Sequence, residues 1–241
     1  PLVVMPHGGP FVDETVYYFD EWAQMLANHG YMVLQPQYRG SLKYGLDFYK
    51  SAFIDGSEAG HAMQDDKDDG ALHLVKKGLV DPDRIAMFGW SYGGYAALIA
   101  ASREDQIYQC AIAGAAVSDM RMQLNYYRYQ LRGSQKIAQL SYRDGAVNPI
   151  DVAHKVNIPL LIVHGDSDQR VPLEHFDKYI DELDRAGISY KKLILEGADH
   201  FSNTLFYRHK ISLYENMLEF LNNDCGLKKE RATLASVGDA R

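Results

Sequence analysis

The stretch "GWSYG" places Ser91 between two glycines, and a serine hydroxyl is a group that can act as a nucleophile. Residues 84–88 before it are short and apolar and predict a buried strand, whereas residues 95–102 after it are rich in Ala and Leu and predict a helix. A serine on such a strand-to-helix turn, with glycine two positions away on each side, matches a nucleophile elbow. The glycines are needed because Cβ atoms would collide in so sharp a turn. A serine that only caps the helix would fit the same pattern. The presence or absence of a base and an acid that could act with Ser91 must therefore decide whether it is a nucleophile.

A serine nucleophile needs a base, and the base needs an orienting acid. His200 lies after the strand pattern of residues 190–197 and before the last predicted helix. That position suits a base in the chain order Ser, Asp, His. The other histidines after Ser91 are interpreted as a turn residue, two solvated or half-buried helix residues and a loop residue without a partner motif: His164, His175, His209 and His154.

The acid is expected in the stretch "HGDSDQRVP", which follows a predicted strand and contains Asp166 and Asp168. Spacing alone does not choose between them, and Asp166 could instead bond to backbone amides of its own turn. A metal site built from His164, Asp166 and Asp168 is an alternative. It is disfavoured because two acids at this spacing are common in turns and no further ligand cluster accompanies them. We therefore expect no metal and no cofactor.

An oxyanion formed during attack on a carbonyl needs hydrogen-bond donors. One is expected from the backbone N–H of Tyr92, the residue after the nucleophile. The other is expected from the loop "HGGP" at residues 7–10, where glycines let backbone N–H groups approach closely. A plain Gly-Pro turn is the alternative, and the predicted strand before the loop argues against it.

The elements that must position these residues alternate along the chain. Strands are predicted at 2–6, 31–36, 84–88, 110–117, 159–165 and 190–197. Helices are predicted at 16–28, 63–77, 95–102, 119–140, 173–186 and 204–221. The alternation is typical of an α/β protein with a mostly parallel, doubly wound sheet flanked by helices on both faces. Chemistry in such sheets lies at the carboxyl ends of the strands, where the candidate residues fall.

Length and composition fit one sizeable core. The chain has 241 residues, 46% of them hydrophobic and 24% charged, which suits a single α/β domain. A net charge of −7 argues against nucleic acid as a partner, and no apolar run is long enough to predict a membrane span. Cys110 and Cys225 lie far apart in the sequence. We predict a buried thiol at Cys110 and find little reason to invoke a disulfide.

The chain resembles the catalytic domain of the prolyl oligopeptidase family of serine peptidases, family S9, from about residue 1 to residue 221. The resemblance rests on "HGGP", "GWSYGGYAAL", "HGDSDQRVP" and "GADH", in that order. The stretches "YRGS", "MQDD" and "DPDRIAMFGWSYGGY" are further matches, and the acylaminoacyl-peptidase and dipeptidyl-peptidase branches are the most similar. The resemblance implies an α/β-hydrolase fold, which this chain is expected to carry without its first strands.

The resemblance also implies roles for single residues. The family pattern of His-Gly, two variable residues and the catalytic Asp places the acid at Asp168, so that Ser91 and His200 complete a triad. Gly9 is then the second oxyanion donor beside Tyr92. Substrate contacts are implied for four further residues, Arg170, Val171, Val117 and Met120. Some relatives carry an aromatic residue where this chain has Met120, which argues against a proline-specific pocket.

The predicted domain organisation is a catalytic domain over residues 1–225 and a disordered tail over 226–241, where the sequence lacks apolar periodicity. Full-length family members also carry an N-terminal β-propeller, which this chain does not contain. The chain is therefore expected to be a trimmed catalytic domain or part of a longer protein. The expected partners are a peptide or ester substrate, that propeller and further copies of the chain in a homo-oligomer. The compartment stays open, with the cytoplasm favoured over the periplasm.

The implied activity is cleavage of short or N-blocked peptides through an acyl-enzyme. A carboxylesterase acting on small acyl esters is the alternative, because the same residues cleave activated esters more readily than amides. A non-catalytic interaction module is disfavoured, since no triad position is missing.

Three further features of the sequence have a structural interpretation. The charge cluster "QDDKDDG" at residues 64–70 predicts a solvated first turn of a helix, where acids favour the dipole. The tyrosines within residues 126–129 either line a substrate pocket or pack a helix that covers the site. Trp90 is expected to pack beside the elbow.

Overall fold

A parallel sheet forms the centre of the protein. The computed structural model describes residues 1–13, 18–54, 56–127, 133 and 144–227. Within these residues the strands are β1 Leu2–Val4, β2 Met32–Leu34, β3 Ile85–Trp90, β4 Cys110–Gly114, β5 Leu160–Gly165 and β6 Lys191–Leu195. They lie in the order β2-β1-β3-β4-β5-β6, and each neighbouring pair is parallel. The chain order reverses between β1 and β3, which is where ligands bind in open α/β sheets.

Helices cover both faces of this sheet. The described helices are α1 Glu21–Asn28, α2 Leu46–Lys50, α3 Ala62–Lys76, α4 Tyr92–Ser102, α5 Met120–Tyr127, α6 Pro149–Val152, α7 Glu174–Arg185 and α8 Tyr207–Asn223. Apolar residues of α1 and α8 form one core with Phe88 of β3. Apolar residues of α3, α4 and α7 form the core on the other face with Met87, the preceding residue of β3. Side chains that alternate between two cores explain why the strand is apolar throughout.

The predicted α/β fold is confirmed, and apart from the short helices α2 and α6, which were not predicted, the differences lie at the ends of elements. The helix predicted over 16–28 begins at Glu21, because the Asp20 carboxylate caps it by accepting from the Ala23 N–H at 2.9 Å. Residues 14–17 lie outside the described residues. The helix predicted over 119–140 is observed as α5, and the remainder of that range is outside the described residues except residue 133. Helix α2 was missed because five residues carry too little periodicity to reveal it.

The prediction of a buried thiol at Cys110 is wrong, because Cys110 and Cys225 form a disulfide with Cα atoms 5.4 Å apart. Cys110 begins β4 and faces the core that α8 covers, and Cys225 follows the end of that helix. A sequence separation of 115 residues hid this proximity. Such a cross-link stabilises the fold mainly by restricting the unfolded chain, and here it ties the last described helix to a central strand.

The last described residues stay in contact with the rest of the fold. Leu227 is fully buried, and its carbonyl accepts from the Arg84 Nε–H at 2.9 Å. The predicted disordered tail at 226–241 lies, beyond residue 227, outside the described residues. Of the helices that the structure describes, none combines the length and the apolar character needed to cross a bilayer.

Candidate active site

Ser91 occupies a strained turn between β3 and α4. Its φ of 62° and ψ of −116° lie in a region that non-glycine residues rarely adopt. The turn is held by its own backbone, since the Ser91 N–H donates to the Gly114 carbonyl at 2.9 Å and its carbonyl accepts from the Tyr95 N–H at 2.9 Å. The serine is partly exposed, in contrast to its buried neighbours. A side chain held in this way can reach a substrate from the carboxyl edge of the sheet.

The flanking glycines are required by close backbone contacts, as the sequence predicted. A Cβ at Gly89 would lie 2.2 Å from the Gly93 carbonyl oxygen. A Cβ at Gly93 would lie 2.2 Å from the Pro6 carbonyl oxygen, on the loop after β1. Backbone atoms cannot move aside as a flexible side chain can, so any larger residue would force the elbow apart.

Asp168 and His200 meet at the same edge of the sheet. Asp168 lies in the loop after β5 and His200 in the loop after β6, and Asp168 Oδ2 is 2.7 Å from His200 Nδ1. Both side chains are almost fully buried. A carboxylate at Nδ1 holds the proton on that nitrogen of a neutral imidazole. The Nε2 atom is then the nitrogen that can accept a proton.

The Asp168 carboxylate is fixed by its own loop. Its Oδ1 atom accepts the backbone N–H groups of Arg170 at 2.7 Å and Val171 at 2.8 Å. The His164 imidazole donates to the Val171 carbonyl at 2.8 Å, and burial lowers the pKa of His164. These bonds leave Oδ2 directed at His200.

The two aspartates that spacing could not separate have different partners. Asp168 contacts His200, whereas Asp166 is exposed and its Oδ1 accepts the Gly197 N–H at 2.6 Å. Asp166 therefore joins two loops, while Asp168 meets the imidazole. Within the described residues there is no group of three or more His, Cys, Asp or Glu side chains that could hold a metal ion.

The predicted surface positions of His175 and His209 are wrong, because both side chains are buried. His175 Nδ1 accepts the Ser118 N–H at 3.2 Å, and its Nε2 donates to Gln123 Oε1 at 2.8 Å. Burial lowers the pKa of His175 to about 3. Helical position in the sequence did not reveal that this side chain points under the loops of the site.

Trp90 connects the elbow to the loop of His200. Its indole Nε1–H donates to the His200 carbonyl at 2.7 Å, so the backbone of His200 lies beside the residue before Ser91. In the part of the chain that the structure describes, Ser91 Oγ makes no hydrogen bond to the His200 imidazole. Catalytic hydrogen bonds are often long without substrate and shorten when substrate binds.

Two backbone segments approach Ser91 from the sides expected of oxyanion donors. Tyr92 is the first residue of α4, where backbone N–H groups point out of the helix end. A Cβ on Gly8 would lie 3.9 Å from Ser91 Oγ, so the "HGGP" loop passes directly beside the Ser91 hydroxyl. Gly9, the predicted donor, follows with a φ of 118°, which favours glycine. Its role as a donor stays a prediction.

Three of the four residues predicted to bind substrate lie beside the elbow helix. Val117, Met120 and Val171 are buried in one apolar cluster with Tyr92 and Tyr95. Three side chains of α5 hold the neighbouring loop by donating to two backbone carbonyls. Gln123 Nε2 and the Tyr127 hydroxyl donate to the Arg170 carbonyl at 2.9 and 2.6 Å, and the Tyr126 hydroxyl donates to the Gln169 carbonyl at 3.1 Å.

The exposed side chain of Arg170 lies over the Tyr127 ring, with its guanidinium carbon 5.3 Å from the ring centroid. The described tyrosines of the 126–129 stretch thus fasten the loop that carries Arg170. Tyr129 lies outside the described residues.

A parallel α/β sheet with a serine elbow after β3, an acid after β5 and a histidine after β6 defines an α/β hydrolase. The chain belongs to the prolyl oligopeptidase family, whose sequence model matches residues 17–228.

Three relatives illustrate the similarity. The chain is 29% identical over 216 residues to dipeptidyl aminopeptidase BIII of Pseudoxanthomonas mexicana. This alignment covers 83% of this chain and 30% of that protein. The chain is 32% identical over 199 residues to dipeptidyl peptidase 8 of Homo sapiens. This alignment covers 79% of this chain and 22% of that protein. The uncomplexed acylaminoacyl peptidase of Pyrococcus horikoshii superposes with a TM-score of 0.79 at 25% identity, over 95% of this chain and 38% of that one. The chain therefore spans less than two fifths of the length of these relatives.

Proposed function

We propose that this chain is the catalytic part of a serine peptidase and that Ser91, His200 and Asp168 are its triad. The observation that carries the proposal is the 2.7 Å contact between Asp168 Oδ2 and His200 Nδ1, at the sheet edge where the strained Ser91 turn ends. Membership of the prolyl oligopeptidase family supports it.

The proposed reaction proceeds in two acyl transfers. His200 Nε2 takes the proton of Ser91 Oγ as this oxygen attacks the carbonyl carbon of the scissile bond. The backbone N–H groups of Tyr92 and Gly9 hold the resulting oxyanion. When the intermediate collapses, His200 gives the proton to the leaving amine and an ester to Ser91 remains. Water then attacks this ester with His200 again as base, and Ser91 recovers its proton.

The proposed substrates are short or N-blocked peptides. The names of the relatives, two dipeptidyl peptidases and an acylaminoacyl peptidase, support this class. The buried apolar side chains of Val117, Met120 and Val171 fit an apolar residue before the scissile bond. A cavity of about 310 Å³, lined in part by Gly8 and Trp90, offers room for the leaving part of the substrate.

The remainder of the protein and its compartment are also part of the proposal. Because the chain spans less than two fifths of its relatives, we propose that the whole protein includes the β-propeller implied by the family. Assembly with further copies stays a prediction. The disulfide between Cys110 and Cys225 supports an oxidising compartment, such as the periplasm, over the cytoplasm.

The experiment compares hydrolysis of N-acyl-aminoacyl and dipeptidyl p-nitroanilides with hydrolysis of p-nitrophenyl acetate and butyrate. A peptidase should cleave both classes, and Ser91→Ala should abolish both. Cleavage of the esters alone by the full-length protein would contradict the peptidase and favour the carboxylesterase instead.

A further inference from the structure

The charged stretch of α3 contains a buried lysine, contrary to the predicted solvated turn. Lys67 is fully buried, and its Nζ donates to the Met63 carbonyl one turn earlier. The same nitrogen lies 3.8 Å from the centroid of the Tyr38 ring and 5.5 Å from that of the Tyr92 ring. No salt bridge joins it to a carboxylate among the described residues. Because a buried ammonium is costly without such a partner, the aromatic faces are its main support.

The acids beside Lys67 in the sequence are held elsewhere. Asp66 receives the Arg39 guanidinium at 2.7 Å. Asp68 lies 3.3 Å from the Arg103 guanidinium and accepts the Tyr108 hydroxyl at 2.6 Å. These contacts turn the carboxylates away and leave the lysine facing the tyrosines.

One of those tyrosines connects Lys67 to the "HGGP" loop. The Tyr38 hydroxyl donates to the His7 carbonyl at 2.8 Å, and the Tyr38 ring stacks on the His7 imidazole with centroids 4.4 Å apart. The imidazole continues the connection, with Nδ1 2.7 Å from the Gly8 carbonyl and Nε2 3.0 Å from Ser41 Oγ. Gly8 is the residue that passes beside Ser91.

The other tyrosine belongs to the nucleophile turn itself. Tyr92 follows Ser91, and its ring packs between those of Tyr38 and Tyr95, with centroids 5.5 and 5.2 Å away. Its hydroxyl donates to Met63 Sδ at 3.6 Å, beside the carbonyl that Lys67 bonds. Both segments that flank the oxyanion position therefore rest on the neighbourhood of Lys67.

We propose that Lys67 is a positioning residue for the oxyanion hole, which it serves by holding the rings of Tyr38 and Tyr92 with its charge. The inference rests on the proposed function of this site. A cation behind both backbone segments fixes their spacing and favours negative charge where the oxyanion forms. Because the oxyanion exists only in the transition state and intermediate, loss of Lys67 should act on kcat rather than on KM.

The charge of Lys67 is also sensitive to pH. Burial lowers its pKa from 10.5 to about 7, against the opposing charges of Asp66, Asp68 and Asp65, and Arg103 at the end of α4 adds to the lowering. From the "HGGP" loop it faces His7, whose pKa burial lowers to about 4, so that this imidazole is neutral when Lys67 titrates. The cation is thus present below about pH 7 and is lost above it.

The test compares wild-type protein with Lys67→Met, which keeps the length of the side chain and removes its charge, and with the control Lys76→Met at an exposed position of the same helix. At pH 6 we expect a roughly tenfold lower kcat for Lys67→Met at unchanged KM, a smaller loss than for removal of a direct oxyanion donor. The inhibition constant of a peptidyl boronic acid, which forms a tetrahedral adduct on the serine, should rise by the same factor. The ratio of wild-type to Lys67→Met kcat should shrink as pH rises through about 7, and Lys76→Met should match wild type.

Unchanged kcat in folded Lys67→Met, an effect on KM alone, or a kcat ratio that is constant from pH 5.5 to 9 would overturn the inference. If Lys67→Met does not fold, Tyr38→Phe is the second variant: it removes the hydroxyl that contacts the His7 carbonyl and Nδ1 and keeps the aromatic ring. It should lower kcat at unchanged KM, and wild-type kcat in that variant would equally refute the proposal.

Fluorophosphonate labelling of wild-type Ser91 separates the proposed function of the site from the proposed role of Lys67. Without labelling the proposed function fails, whereas labelling with unaffected Lys67→Met turnover rejects the role of Lys67 alone.

Discussion

Asp168 uses its two carboxylate oxygens for different tasks. One oxygen meets the His200 imidazole at 2.7 Å, and the other accepts two backbone N–H groups of its own loop. Asp166, two residues earlier, accepts a backbone N–H from the neighbouring loop. The resemblance to the family pointed to Asp168, which spacing could not do, because both residues occupy the same turn and only the fold directs one of them at the histidine.

The two aspartates give a paired prediction. Asp168→Asn should lower kcat by about four orders of magnitude, because an amide favours the wrong tautomer of His200. Asp166→Asn removes a charge but keeps an oxygen that can accept the Gly197 N–H, so it should lower kcat less than about tenfold. Steady-state hydrolysis of a p-nitrophenyl ester by both variants checks this, with circular dichroism to show that each is folded. A greater loss in Asp166→Asn would show that the acid is assigned wrongly.

Helix α5 holds the loop of Asp168 and Arg170 through hydrogen bonds to backbone carbonyls. Gln123 links the buried His175 to the Arg170 carbonyl, and Tyr127 donates to the same carbonyl. The sequence predicted a helix here, yet its two interpretations of the tyrosines, pocket lining or packing, did not include this set of hydrogen bonds. Helical periodicity identifies a face of a helix, whereas the partners of that face come from loops that are distant in sequence.

Gln123→Ala tests whether the hydrogen bonds from α5 to the Arg170 segment serve substrate binding. Without the amide, the Arg170 segment should hold the substrate less firmly, and we expect about a three- to tenfold higher KM for a peptidyl anilide with a smaller change in kcat. Asn125→Ala, at an exposed position of the same helix, is the matched control. Equal KM values for Gln123→Ala and Asn125→Ala would show that the hydrogen bonds to this loop do not serve substrate binding.

The whole molecule could be predicted from its sequence as an alternation of strands and helices, because each element carries its own local period. Contacts between elements that are distant in the sequence could not be predicted in this way. The disulfide joins residues 115 positions apart, and Lys67 is buried by tyrosines from two other segments although its neighbours in the sequence are charged. Burial of polar side chains is set by packing, which a single sequence does not display.

Two buried histidines, His7 and His175, make the stability of the molecule depend on pH. Burial lowers the pKa of His7 to about 4 and of His175 to about 3, from an ordinary value of 6.5. Below pH 6.5 the unfolded chain binds protons at both residues while the folded chain does not, so the free energy of unfolding falls as pH falls from 6.5 toward 4. The slope should reach about 1 kcal/mol per pH unit for each histidine.

Urea unfolding at pH 7, 5.5 and 4.5 measures this dependence. His175→Gln should give a shallower slope than wild type, and His73→Gln, at an exposed position of α3, should not. Stability that stays constant or rises over this range would contradict the account of the buried imidazoles.

The central claim is that Ser91 is an activated nucleophile, and covalent labelling tests it most directly. Folded wild-type protein treated with a fluorophosphonate should gain one adduct, which peptide mass spectrometry should locate on Ser91. Ser91→Ala should gain none and should lose at least about three orders of magnitude in kcat. Ser167→Ala, which changes an exposed serine in the loop of Asp168, should label and turn over like wild type. Folded wild-type protein that stays unlabelled, or an adduct on another residue, would contradict the claim.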